Sequence, residues 1–184
     1  MGLDSQPGIS YGAYVDMSGG VGDYSALSIG HREAGQLIQD VLEAAPAPHN
    51  PNQVIKQFAE ILKDYRVKEV CGDRYSANFV RNGFESEGIK YRQSQETASE
   101  LYIEFGGLLA TGKVQLLDDQ KLFGQLRILE RRPGRGGRDK VTHPPRTHDD
   151  LANSTAGLMV NLSRAWPNVI TFDWLEGAKS RVIT

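Results

Sequence analysis

Short dense runs of apolar and β-branched residues open the chain. Tyr11 to Val15 and Tyr24 to Ile29 are two such runs, and Gly19, Gly20 and Gly22 lie between them. This pattern predicts a β-hairpin with a wide glycine turn. His31 to Val41 predicts a third strand with a turn at Glu33-Ala-Gly35, its apolar content being Leu37, Ile38 and Val41. Ala44 to Pro51 holds three prolines and reads as a loop. The period then becomes helical. Val54, Ile55, Phe58, Ile61, Leu62 and Tyr65 recur three and four residues apart, and Asn50-Pro51 supplies the N-cap and first helical residue.

Helices and strands alternate from there. Val67 to Cys71 is a short strand, Ser76 caps a helix over Ala77 to Glu87 that stops at Gly88, and Ile89 to Arg92 is another strand. Thr97 and Glu100 form a capping box, which starts a helix with Leu101, Phe105, Leu108 and Leu109 inward and Gly112 at its end. Lys113 to Leu117 is extended. Asp118 caps a helix carrying Leu122, Leu126 and Leu129, and Asp149-Asp150 opens a last long helix with Leu151, Leu158 and Leu162 inward. The tail has little pattern beyond Val169 to Trp174. An antiparallel opening followed by alternation predicts an α/β fold: a mixed sheet, antiparallel first and then parallel, with helices on both faces.

A length of 184 residues, with 39% apolar and 24% charged, suits one ordinary domain over 1–184. Within it, residues 1–9 read as a flexible start, 131–148 as a basic glycine-rich loop and 167–184 as a tail. No apolar run approaches the roughly 18 residues of a membrane span, so a membrane is not expected as a partner. Cys71 is the one cysteine, inside a strand. It reads as a small core hydrophobe in a reducing cytoplasm. The net charge of -2 gives no overall nucleic-acid footprint. The charge is uneven, however. Arg131, Arg132, Arg135, Arg138 and Lys140 stand among three glycines and a proline.

Two motifs fail on inspection. Gly107-Leu-Leu-Ala-Thr-Gly112-Lys113 is followed by Val114 where a P-loop needs a hydroxyl. A helix also precedes it where a strand should. His143 and His148 with Asp149 and Asp150 match no zinc spacing, which leaves the histidines for contacting DNA or orienting a metal-bound water. The acids carry more. Asp16 ends the first strand, Asp73 follows a later one, and Asp149-Asp150 opens a helix that packing can bring beside them. Converging carboxylates repel unless a cation neutralises them, and oxygen-only ligands favour Mg²⁺ or Mn²⁺. Two such ions about 4 Å apart suit phosphodiester cleavage.

Tyr14-Val-Asp-Met-Ser-Gly-Gly-Val-Gly-Asp23, Gly72-Asp-Arg-Tyr75 and Gly137 to Asn153 together resemble the nuclease domain of a phage or prophage terminase large subunit, over about residues 11–163 in unbroken order. The resemblance implies an RNase H-like fold of the resolvase/integrase superfamily. It also implies a metal-dependent endodeoxyribonuclease that cleaves concatemeric double-stranded DNA during genome packaging in the cytoplasm of the bacterial host. Its metal-binding acids carry over to Asp16, Asp73 and the Asp149-Asp150 pair, with Asp150 favoured and Asp23 auxiliary. The cofactors implied are two Mg²⁺ or Mn²⁺. Arg74, the five basic residues of the loop, His143 and His148 are DNA-contact candidates. Partners implied are an ATPase motor domain, the small terminase subunit and the portal protein. A junction resolvase or transposase of the same fold, and a non-enzymatic docking module, are the alternative readings.

Overall fold

The computed structural model describes residues 2–73, 77–134 and 139–164. Six strands form one sheet in the order β5-β4-β1-β2-β3-β6: β1 (Tyr11–Asp16), β2 (Ser25–Glu33), β3 (Gln36–Ala45), β4 (Glu69–Gly72), β5 (Lys90–Gln93) and β6 (Val114–Gln115). β1, β2 and β3 run antiparallel, whereas β4 pairs parallel to β1, β5 to β4, and β6 to β3. This is the mixed α/β architecture expected. The β2–β3 turn also falls where expected, at Ala34 (φ 48°) and Gly35 (φ 82°). Two successive positive φ values suit a tight hairpin, so His31 precedes the turn and belongs to β2.

Alternation along β1 divides the core. Tyr11, Ala13 and Val15 face α1 (Pro51–Asp64) and α2 (Ala77–Ser86) with Leu27, Ile29, Phe58 and Phe84. Tyr14 faces the opposite way, with Cys71, toward α3 (Ala98–Ala110), α4 (Gln120–Ile128) and α5 (Asp150–Ser163). Cys71 is buried, as its strand position implied. The Asn50 cap of α1 and the Thr97/Glu100 capping box of α3 are both formed.

α5 is buried on almost every side. It lies close to β1 because Gly157 has no side chain there: a Cβ would come within 2.5 Å of the Tyr14 ring. That approach brings the N-terminus of α5 over the C-terminal end of β1.

Four local expectations are corrected. The α4 cap is Asp119, not Asp118. Its carboxylate accepts from the backbone N–H of Lys121 and Leu122, both at 2.8 Å, and its own extended backbone suits the N-cap. Leu109 of α3 is 42% exposed and Tyr102 takes a core place, because the last turn of α3 runs past the elements that cover its first turns. The basic run is not all loop. Its flanks pair as β7 (Glu130–Arg132) and β8 (Lys140–Thr142), and the Val141 N–H donates to Ser99 Oγ at 2.9 Å, tying the hairpin to α3. Near the start of the chain, Leu3 N–H donates to Asp40 O at 2.8 Å, which pins residues 2–3 to β3. Ser76, Arg74, Arg135, Arg138 and Val169 to Trp174 lie outside the described residues.

The contact between Gly157 and Tyr14 generates a stability prediction. Gly157→Ala forces a methyl into the Tyr14 ring and is expected to destabilise by about 1–3 kcal/mol despite alanine's better helix propensity. Gly106→Ala in α3, where a Cβ meets nothing within 4 Å, should instead stabilise by up to about 1 kcal/mol. Urea melts of both variants check the pair, and equal effects would show that the α5 contact is loose.

Candidate active site

Asp16 is the last residue of β1. Val15 registers with Gly72 on the parallel strand β4, so Asp16 and Asp73 leave the sheet side by side. α5 adds a third source of acid. Asp149 is its N-cap residue, Asp150 its first residue, and Asn153 stands one turn on. Asn153 Nδ2 donates to Asp16 Oδ2 at 2.8 Å. Asp23 comes from the glycine turn between β1 and β2. Asp16, Asp23, Asp73, Asp149, Asn153 and Tyr102 all line one cleft of about 940 Å³. The hairpin forms another part of its wall, through Asp139, Lys140 and His143 among others.

Asp149 and Asp150 open a helix without capping it. The side chain of Asp149 bonds no N–H of α5. Gln125 of α4 does this instead, its Oε1 accepting from Leu151 N–H at 2.8 Å and Ala152 N–H at 3.0 Å. The carboxylates are thereby left for other work. Asp149 Oδ2 accepts from the Tyr102 hydroxyl at 2.8 Å, and its Oδ1 lies 3.5 Å from His143 Nε2. Burial and the neighbouring Asp149 push the Tyr102 hydroxyl up, so it stays a phenol and a donor. His148 Nδ1 lies 3.2 Å from Asp23 Oδ1 and 3.9 Å from Asp150 Oδ2. The two histidines therefore serve different acids and do not converge as a zinc pair.

The acids strain against one another. Burial, and then the nearby Asp150, Asp73 and Asp149 charges, push Asp16 up to about 8 against the pull of the Asn153 hydrogen bond. Asp150 is pushed up to about 6, by burial first and by the charges of Asp23 and Asp149, against its own backbone N–H and His148. Asp150 Oδ2 and Asn153 Oδ1 are buried with no hydrogen-bond partner. Unsatisfied buried oxygens cost about 1–3 kcal/mol each, so the protein alone leaves this site incomplete. A hard divalent cation fits a donor set made only of oxygens. Among the described residues, no three acid, imidazole or thiol groups are spaced to hold one ion as they stand.

The basic candidates divide. Arg131 pairs with Asp139 and Arg132 with Glu130, so part of their charge is already met, while Lys140 borders the cleft. Tyr102 and Gln125 were not singled out from the sequence. Each is an ordinary member of a helix whose partner lies far along the chain, and no local pattern marks it. Asn153 entered the sequence reading only as the end of the Gly137 to Asn153 stretch, with no role of its own.

The raised Asp16 makes the metal-free protein sensitive to pH. Between about 4 and about 8 the folded chain keeps a proton on Asp16 that the unfolded chain has lost. Stability therefore falls as pH rises through that window. Asp16→Asn should flatten the fall and be the more stable protein at pH 8, by on the order of a few kcal/mol. Thermal melts in chelator at pH 5 and pH 8 measure this. An unchanged pH slope in the variant would mean that Asp16 ionises freely.

No family model and no curated protein matches the chain. Solved structures do. The large terminase nuclease from thermophilic phage G20c with bound magnesium aligns with a TM-score of 0.73 at 21% identity, covering 86% of this chain and 85% of that one. The same nuclease has also been solved with bound cobalt and with bound zinc. The Thermus phage P74-26 large terminase nuclease domain aligns with a TM-score of 0.70 at 23% identity, covering 84% and 80%. The HK97 bacteriophage large terminase gives 0.67 at 14% identity, covering 87% of this chain and 40% of that one. The chain thus has the RNase H-like fold of large terminase nuclease domains.

Proposed function

We propose that the chain is the nuclease domain of a viral DNA-packaging terminase, a metal-dependent endodeoxyribonuclease that cuts concatemeric double-stranded DNA. The observation that carries this reading is the pair of orphaned buried oxygens, on Asp150 and Asn153, among acids delivered from the ends of β1, β4 and α5. The neighbours solved with divalent metals support it by fold.

In this reading Asp16, Asp73 and Asp150 hold two Mg²⁺ or Mn²⁺ ions, with Asp149 and Asp23 at the border. Bound there, the ions supply a water of lowered pKa and charge stabilisation at phosphorus. The chain's own residues do the rest. Asn153 fixes the orientation of the Asp16 carboxylate by its 2.8 Å hydrogen bond. Tyr102 holds Asp149 facing the cleft. Lys140, Arg131 and Arg132 offer charge to the phosphate backbone from the hairpin, and His143 and His148 flank the acids. In the assembled packaging machine the domain works in the host cytoplasm beside an ATPase motor, a small subunit and the portal. No helix among the described residues is long and apolar enough to cross a membrane.

Plasmid nicking is expected to require Mg²⁺ or Mn²⁺ and to stop in EDTA, and full nicking in chelator would sink the metal mechanism. Asp16→Asn and Asp73→Asn should abolish cleavage with the fold intact. Calorimetry with Mn²⁺ assigns the helix acid: Asp150→Asn should lose heat of binding and Asp149→Asn should retain most of it, and the reverse result would exchange their roles. Tyr102→Phe keeps the ring but frees Asp149, so cleavage should drop roughly tenfold, the scale set by losing one charge-assisted hydrogen bond.

A further inference from the structure

A second cleft, of about 370 Å³, has His148 in its wall. Its walls include Tyr24, Lys121, Gly124, Ile128 and Thr147 as well as His148. His148 joins the two clefts. Its Nδ1 meets Asp23, which lines the acid cleft, and its ring meets Tyr24 edge-on with centroids 5.7 Å apart. Of these two clefts the hairpin lines the acid cleft and α4 lines the second, while Gln120 and Lys121 of α4 also line a further cavity with Glu43 and Asp119.

The chemistry of the second cleft is that of a polyanion with flat, apolar parts. The Lys121 ammonium lies 6.0 Å from the centroid of the Tyr24 ring. Among the described residues it has no carboxylate within salt-bridge distance. Its neighbour Asp119 has committed its carboxylate to the N–H groups at the start of α4. The space beside Gly124 is open, since a Cβ there would meet nothing within 4 Å. Tyr24 and Ile128 give the cleft an apolar side beside that cation.

Position matters as much as chemistry. Ala26 faces Asp16 across the β1–β2 ladder, and Tyr24 lies two residues outward from Ala26. Strand rise and spacing put Tyr24 roughly 8 Å from Asp16, Cα to Cα. One strand of a duplex rises about 3.4 Å along the axis per nucleotide and its phosphates are spaced more widely than that, so this is a reach of at most two or three nucleotides. A polyanion held against a cluster of acids also needs positive charge beyond them, and Lys121 provides it on the side away from the hairpin.

We propose that this second cleft is a DNA subsite, taking a sugar–phosphate unit a few nucleotides from the scissile phosphate, with Lys121 on the phosphate and the Tyr24 ring against the sugar or base. The proposal rests on the nuclease reading and deepens it, giving the strand a path from the hairpin past His148 onto α4. Contacts of this kind are independent of sequence.

The test is fluorescence anisotropy of a labelled random-sequence duplex, titrated with the Asp16→Asn chain over a range of KCl. Added Lys121→Ala should lower the slope of log affinity against log salt by about one, and Lys121→Arg should restore it. Tyr24→Ala should weaken binding about tenfold, whereas Tyr24→Phe should not. Gly124→Glu, a substitution that favours the helix, should weaken binding by filling the cleft with negative charge. In the chain with Asp16 intact, Mn²⁺ binding should be unchanged by Lys121→Ala. Unchanged affinity and slope in Lys121→Ala and Gly124→Glu, while Lys140→Ala still weakens binding, would overturn the subsite and leave the nuclease reading standing. Failure of Lys121→Arg to restore the slope would also overturn it. If the parent chain binds no duplex at any salt concentration, the nuclease reading falls and takes the subsite with it.

Discussion

The close seat of α5 on β1 is the constraint from which the site follows. Three stretches of chain carry the acids: the end of β1, the end of β4 and the first turn of a helix more than seventy residues later. Parallel pairing joins the first two. The close Tyr14–Gly157 contact, with Gly12 and Gly30 of the sheet against Leu162 and Leu158, seats the third, and a helix held one methyl further out would lift Asp149, Asp150 and Asn153 away from Asp16. Packing density in the second core layer is thus converted into electrostatic tension in the cleft. The fold buries these carboxylates and also holds them near one another, and burial first and the neighbouring charges second raise Asp16 and Asp150.

Much of this was legible because it is local. The capping box of Thr97 and Glu100, the Asn50-Pro51 start and the glycine turn each need only a few neighbouring residues to be recognised. The acids drew notice because strand ends in α/β sheets gather function; Asp16, Asp23, Asp73 and Asp149 border one cleft, whereas Asp150, favoured over Asp149 in the sequence, is not in its wall. The failures have a common physical source. Asp118 and Asp119 are equivalent in sequence, and only the backbone angles choose the cap. The hairpin strands are three residues each, exposed and charged, so no alternation announces them. What fixes the hairpin is register and the bond to Ser99, which lies 42 residues away.

Tyr102 shows the same limit at the site itself. In the sequence it is one aromatic on an amphipathic helix, and burial alone would account for it. Its function in positioning Asp149 depends on a partner 47 residues on. The order of the sheet was equally hidden, since β1 at its centre takes one neighbour from the next strand and the other from beyond α1.

The Gln125 bonds have an evolutionary consequence. Helix starts are ordinarily held by the acids or hydroxyls that occupy them, so such residues cannot drift without fraying the element. Here the anchoring is borrowed from a neighbouring helix. The Asp149 side chain, which bonds no N–H of the helix, is released from that duty, and selection can act on it apart from the folding of the helix. A change of the Asp149 side chain would leave the start of the helix held by Gln125 as before.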